Sequence, residues 1–291
     1  MKYINLLLFL FIISNALSQD TEVIYLSGTG ADHTKKWDFF CSAGMNSGKW
    51  TTIEVPSCWE QQGFGAYNFG RSKPEDRLNE TGRYKYRFMA PSTWKNKEIR
   101  IVFEGVMTDA EVKINGRPAG PIHQGAFYRF SYNIGKLIQF GKENELEVFV
   151  KKQSDNMSVS RAERESDYWI FGGIFRPVYM EAKPPENICR VAVDAHADGQ
   201  FVADVYLSGL KNASKLVVEI QNLSGETISA FEYYSITPVT RISGRLNNPS
   251  LWSPESPELY NAVFTILDKN GKRIHRTDTR IGFRTVEVRE S

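Results

Sequence analysis

Apolar and polar positions alternate in short runs along most of this chain. YKYRF (84–88), IRIVF (99–103), AEVKI (110–114) and ELEVFV (145–150) each follow this pattern, the period of a strand with one face in a core and the other in water. Turn residues separate the runs. Asn115-Gly116 directly follows AEVKI and is a strong hairpin signal, and Gly141-Lys-Glu-Asn144 precedes ELEVFV. A second series comprises RVAVDA (190–195), FVADVYL (201–207), KLVVEIQN (215–222), NAVFTILD (261–268) and a final strand at 285–288. Its turns are placed at Asn222–Gly225 and Asp268–Gly271. No long segment holds a helical period, so the predicted class is all-β.

The two series are divided by EAKPPEN (181–187), whose consecutive prolines cannot donate to a ladder and suit a short linker. The predicted organisation is a two-sheet jelly-roll domain over 19–182, a linker over 183–187 and an immunoglobulin-like sandwich over 188–291. Residues 1–18 read as a signal peptide: Lys2, an apolar run from Leu6 to Ile13, and the small-residue cleavage site Ala16-Leu-Ser18. That run is short for a membrane span, and no cysteine follows the cleavage point. The mature protein is expected to begin at Gln19 and to be exported, periplasmic or secreted, with no membrane partner.

Composition narrows the chemistry. A formal net charge of +2 gives no electrostatic reason to expect nucleic acid or an anionic membrane. Aromatics at 13% favour β-structure and rings that face sugars or partners. The odd set Cys41, Cys58 and Cys189 leaves a Cys41–Cys58 disulfide open in an oxidising compartment. The preferred reading makes all three small buried apolar residues. His33, His123, His196 and His275 are scattered without metal-ligand spacing, so neither a metal nor a cofactor is expected.

Four longer motifs point to a family. DYWIFGGIFRPVYM (167–180) resembles the signature that closes the sugar-binding jelly roll of glycoside hydrolase family 2, the family of β-galactosidases, β-glucuronidases and β-mannosidases. VKINGRPAGPIHQGAFYRFSYNI (112–134) is similar to that domain's central hairpin, and VPSCWEQQGFG (55–65) to its early V-P-x-x-W stretch. WSPESPELY (252–260) resembles the segment before the last strands of the family's immunoglobulin-like domain. The four stand in the family's order and cover nearly the whole mature chain. The resemblance implies a galactose-binding-like jelly roll, a β-glycoside ligand and, as partner, a catalytic TIM barrel carrying two glutamates. In the family a segment like IGFRTVEV (281–288) leads into that barrel, which takes roughly 250 residues. The sequence stops at Ser291. No catalytic residue is therefore expected within it, and alone it is expected to be inactive on glycosides.

The resemblance also supplies candidate sugar contacts. It implies that Asp167 reaches the barrel mouth, where a carboxylate can accept hydrogen bonds from neighbouring hydroxyls of one sugar ring. The bland alternative is an Asp167–Arg176 ion pair bracketing the loop. Asn68 and Arg71, in GFGAYNFGR (63–71), lie in a loop that approaches the site entrance in the family. A glycine-rich loop with ordinary packed rings stands beside that reading. Trp59, Trp169, Ile170 and Phe171 read as packing, Trp252 as an anchor of the second domain, and Gly172-Gly173 as a bend. Glu163, Glu165 and Asp167, within RAERESD, read as charges solvated in a loop. The favoured function is the non-catalytic N-terminal portion of an exported family 2 hydrolase. A free-standing carbohydrate-binding module and a structural two-sandwich protein remain alternatives.

Overall fold

A computed structural model describes residues 20–288; the expected signal peptide lies outside them. The described chain divides into two compact units, Thr21–Asn187 and the segment from Ile188 onward, with Asp20 belonging to the latter.

In the first unit the strands are β1 (Glu22–Tyr25), β2 (Lys35–Cys41), β3 (Trp50–Val55), β4 (Asn68–Phe69), β5 (Thr81–Met89), β6 (Glu98–Phe103) and β7 (Asp109–Ile114). They continue with β8 (Arg117–Pro118), β9 (His123–Gln124), β10 (Phe130–Asn133), β11 (Glu143–Lys151), β12 (Trp169–Ile170) and β13 (Val178–Lys183). One sheet has the order β1-β13-β6-β10; the larger runs β3-β2-β5-β11-β7-β8, with β9 also on β7. Alternation sets what each sheet buries. On β11 the residues Asn144, Leu146, Val148 and Val150 point inward while Glu145, Glu147 and Phe149 point outward. Trp37, Phe39, Tyr84, Val112, Ile101, Phe103 and Met180 meet them in a single core. The Asn115-Gly116 loop has φ of 52° and 75°, as a two-residue hairpin turn of the primed type needs, and sets Ile114 opposite Arg117.

In the second unit β14 (Asn187–Ala195), β15 (Gln200–Ser208) and β18 (Val239–Arg245) form one sheet. The other consists of β17 (Thr227–Tyr233), β16 (Ala213–Gln221), β19 (Tyr260–Asp268) and β20 (Arg273–Ile281). Phe201, Val205, Val218, Phe264 and Phe283 are among its core residues. The molecule is all-β, a jelly-roll sandwich followed in sequence by an immunoglobulin-like one.

The structure corrects several details. The last strand is β20, and 285–288 is irregular. The inward positions of β20 carry His275, Thr277 and Thr279 before Ile281, so its alternation does not show as apolar against polar. Residues 157–164, MSVSRAER, form a short helix, α1, capped where Asn156 Oδ1 accepts the Ser158 N–H at 3.0 Å. Strand pairing runs to Lys183 and resumes at Asn187, leaving Pro184–Glu186 between the strands. All three thiols are free, and only Cys41 is buried: Cys58 is half-buried and Cys189 is exposed on β14. Cys189 stands on an exposed position, and its Sγ donates to the Tyr206 carbonyl at 3.3 Å.

Candidate functional site

Two loops of the first unit meet through the two-residue ladder of β4 and β12. Phe69 lies opposite Trp169 and Asn68 opposite Ile170, and the Gly70 N–H extends the contact to the Tyr168 carbonyl at 2.8 Å. The ladder places all three predicted contact residues in one neighbourhood, in different roles. Arg71 Nη2 and Asp167 Oδ2 stand 4.0 Å apart, with side chains 69% and 70% exposed. Such a pair contributes only about 0–1 kcal/mol, so either group is free to turn to a ligand.

Asn68, by contrast, is buried. Its amide donates to the Leu78 carbonyl at 2.8 Å and accepts the Leu78 N–H at 3.3 Å. It fixes the loop from beneath and presents no free amide at the rim.

Asp167 does not pair with Arg176. That guanidinium donates to the Glu104 and Phe127 carbonyls at 3.5 and 3.3 Å and lies over the Phe175 ring at 5.0 Å. Trp169 differs from its expected packing role, being 54% exposed beside the equally open Tyr67, their ring centroids 6.1 Å apart. The reason is local: Ile170 points into the core, so its strand neighbour must point out. Tyr67 is steadied by its hydroxyl, which donates to the Glu60 carbonyl at 3.1 Å. The rim therefore offers two ring faces next to a carboxylate and a guanidinium. Beside it lies a hollow of about 430 Å³ lined by Arg71, Lys73, Arg77 and Glu165.

Beneath the rim sits a set of charges that the sequence did not disclose. Lys152 is fully buried, and its Nζ donates to Glu60 Oε1 and Glu80 Oε1, both at 2.7 Å, and to the Ala66 carbonyl at 2.6 Å. Glu80 accepts the Ala66 N–H at 3.0 Å, tying down the loop that carries Arg71. Both Glu60 oxygens accept the Gly172 N–H, at 3.0 and 3.1 Å, tying down the loop that carries Asp167. Burial pushes the Glu60 carboxyl up, and the Lys152 ammonium opposes that push without cancelling it.

Arg164, also buried, donates to the Phe171 carbonyl at 3.1 Å; burial lowers its pKa against the raising influence of nearby carboxylates. Glu163 is buried as well, accepting the Ala126 N–H at 2.8 Å, so of the three RAERESD carboxylates Glu165 and Asp167 are solvated as expected and Glu163 is not. Arg77 clamps the loops further, donating to the carbonyls of Gly70, Ser72 and Arg164. The Gly172-Gly173 pair has two separate reasons. A Cβ on Gly172 would lie 2.2 Å from the buried Trp59 indole, whereas Gly173 has a φ of 123°.

The fold is a jelly-roll sandwich followed in sequence by an immunoglobulin-like one. Residues 43–184 match the family description "Glycosyl hydrolases family 2, sugar binding domain", and residues 188–284 match "Glycosyl hydrolases family 2". The chain belongs to glycosyl hydrolase family 2. It is 26% identical over 300 residues to a putative beta-glucuronidase of Formosa agariphila, covering 99% of this chain and 35% of that protein. It is 29% identical over 263 residues to a beta-galactosidase of Vibrio cholerae, covering 82% of this chain and 25% of that protein. Among solved structures, a family 2 beta-glucuronidase superposes with a TM-score of 0.72 at 20% identity, over 91% of this chain and 31% of the other. A Bifidobacterium dentium beta-glucuronidase complexed with coumarin-3-O-glucuronide gives 0.71 at 21% identity, over 92% and 49%. These structures share the fold. The chain thus spans about a quarter to a third of the length of the two sequence relatives.

Proposed function

We propose that these residues are the N-terminal, sugar-contacting part of an exported glycoside hydrolase, working with a catalytic barrel supplied by sequence outside them. The ligand is a β-glycoside. The carboxylate of Asp167 accepts hydrogen bonds from hydroxyls of the sugar, and Arg71, released from its loose pair, donates to another oxygen. Trp169 and Tyr67 offer ring faces to the apolar side of a pyranose. Asn68, Glu60, Glu80 and Lys152 act from below as positioning residues. The observation that carries this reading is the contrast in the two loops: their backbones are tied by buried charged groups, while the tips leave a carboxylate, a guanidinium and two aromatic rings in solvent.

Bond cleavage by a retaining glycosidase needs two carboxyl groups about 5–5.5 Å apart across the glycosidic bond, one as nucleophile and one as acid and base. In this reading both come from the barrel. Purified residues 19–291 should therefore show no turnover of nitrophenyl β-galactoside or β-glucuronide. Turnover abolished by mutating a carboxylate of this chain would overturn the proposal. Export predicts a mature N-terminus at Gln19, readable by N-terminal sequencing of the protein recovered from periplasm or medium.

A further inference from the structure

The larger sheet of the first unit carries a second feature, on the outward face of its strands. Strand register sets Trp50 of β3 opposite Phe40 of β2, Phe40 opposite Arg83 of β5, Arg83 opposite Phe149 of β11, and Phe149 opposite Glu111 of β7. One row of side chains thus crosses five strands. At neighbouring-strand spacings of 4.7–4.9 Å the row is roughly 19 Å long. The next row on the same face reads Thr52, Asp38, Lys85, Glu147 and Lys113. Between the rows lies a cleft of about 540 Å³, within the size range of ligand sites.

The rows are chemically distinct. In the first, the Arg83 guanidinium lies over both Phe40 and Phe149, 6.0 and 5.9 Å from the ring centroids. Trp50, 49% exposed, stands at the end of the cleft with Lys85 Nζ 5.8 Å from its ring. The lysines of the second row pair within it and with the rows on either side: Lys85 with Glu147 of the same row and with Glu145 of the row beyond, at 3.5 Å each, and Lys113 with Glu111 of the first row at 2.9 Å. The cleft is therefore dense in donors and acceptors, nearly neutral as a whole, and edged by aromatic rings.

That combination selects among ligands. An anionic polymer would meet the lining carboxylates Glu111 and Glu147 and would have to break ion pairs to reach Lys85 or Lys113, leaving it Arg83 between its two rings. An apolar segment would strip water from these ion pairs and from the Arg83 guanidinium while offering no hydrogen bonds in return. A neutral sugar chain avoids both penalties. Each hydroxyl donates to a carboxylate and accepts from Lys or Arg, and the C–H face of a ring covers an indole. The geometry points to a binding cleft for a neutral oligosaccharide lying across β3, β2, β5, β11 and β7, independent of the Asp167 rim and of any catalytic barrel. Its function is to hold the chain to a polymeric, uncharged glycan.

Affinity electrophoresis of the full chain tests this. The gels contain galactan, xyloglucan or glucomannan as neutral polymers and alginate or carrageenan as anionic ones. At least one neutral polymer should retard the protein, with the retardation unchanged in 1 M NaCl. Trp50→Ala should weaken it about tenfold, and Arg83→Gln should weaken it in the same direction. Tyr234→Ala, which removes an exposed ring of the second unit, should leave it as in the unaltered chain. Circular-dichroism melting confirms that each variant folds, and Arg83→Gln carries the test if Trp50→Ala does not fold. Retardation by none of the neutral polymers, retardation by anionic ones only, or retardation insensitive to both cleft substitutions would overturn the assignment.

Discussion

Two ion-paired groups lie close together in the first unit and behave as opposites. In the floor, Lys152 holds Glu60 and Glu80 at 2.7 Å with no side chain reaching water. On the rim, Arg71 and Asp167 stand at 4.0 Å in near-full exposure. The same residue types therefore do different work according to solvent. A buried charge stripped of its partner is costly, so the floor holds the backbones of both loops in one arrangement. An exposed pair holds almost nothing, which leaves its atoms available to a ligand. A site that grips a flexible, hydroxylated molecule needs both halves of this arrangement.

The comparison breaks first at Lys152. Lys152→Ala leaves two buried carboxylates without their cation and should destabilise the first unit by about 3–5 kcal/mol in urea unfolding. A loss below about 1 kcal/mol would mean that water reaches the floor. Gly172→Ala comes next, because its Cβ has no room beside Trp59. Overpacking of this kind costs typically 1–3 kcal/mol, and a shift in the urea midpoint with unchanged slope would report it.

The pH dependence of stability sharpens the same contrast. Glu60 has a folded pKa raised above its ordinary value of 4.5, so between those two values the folded state binds more protons than the unfolded one. Its contribution favours folding at low pH and is lost as pH rises through the folded value. Glu60→Gln should flatten that part of the stability–pH curve, and a curve of unchanged slope would contradict the assignment.

The thiols repeat the lesson at smaller scale. Burial pushes the Cys58 thiol up to about 11, while Cys189 lies in solvent. At pH 8 an aromatic disulfide reagent should label Cys189 well before Cys58, and Cys189→Ser should remove the fast phase. Equal labelling rates would show that the loop over Cys58 opens freely. The smallest effect belongs to the rim: Arg71→Ala should change unfolding free energy by less than about 1 kcal/mol.

How much of this is legible in the sequence follows from distance and periodicity. Runs such as ELEVFV announce strands because each inward residue is aliphatic, and Asn115-Gly116 announces a hairpin because both residues accept positive φ. Strand β20 stays hidden behind inward His275, Thr277 and Thr279. The eight-residue helix α1 is too short to set a period. Asp167 and Arg71 emerge separately from family resemblance, but their pairing arises only once β4 meets β12. Asn68 reads as a rim residue because nothing local reveals that Leu78 takes its amide. The floor is invisible: Lys152 and Glu80 are 72 positions apart, and a lysine or glutamate in isolation reads as surface. What reveals them is burial, which is a property of the packed chain.

The rim, then, is held from below and open from above. Placing these two domains on the catalytic barrel of a family 2 relative tests this most directly, with Asp167→Ala compared with the unaltered enzyme in KM and in melting temperature. A carboxylate that accepts hydrogen bonds from sugar hydroxyls is worth more than about 1.4 kcal/mol, so KM should rise roughly tenfold or more. The melting temperature should stay unchanged because the lost pair was solvated. An unchanged KM, or a fall in stability large enough to account for the kinetic loss, would contradict the account.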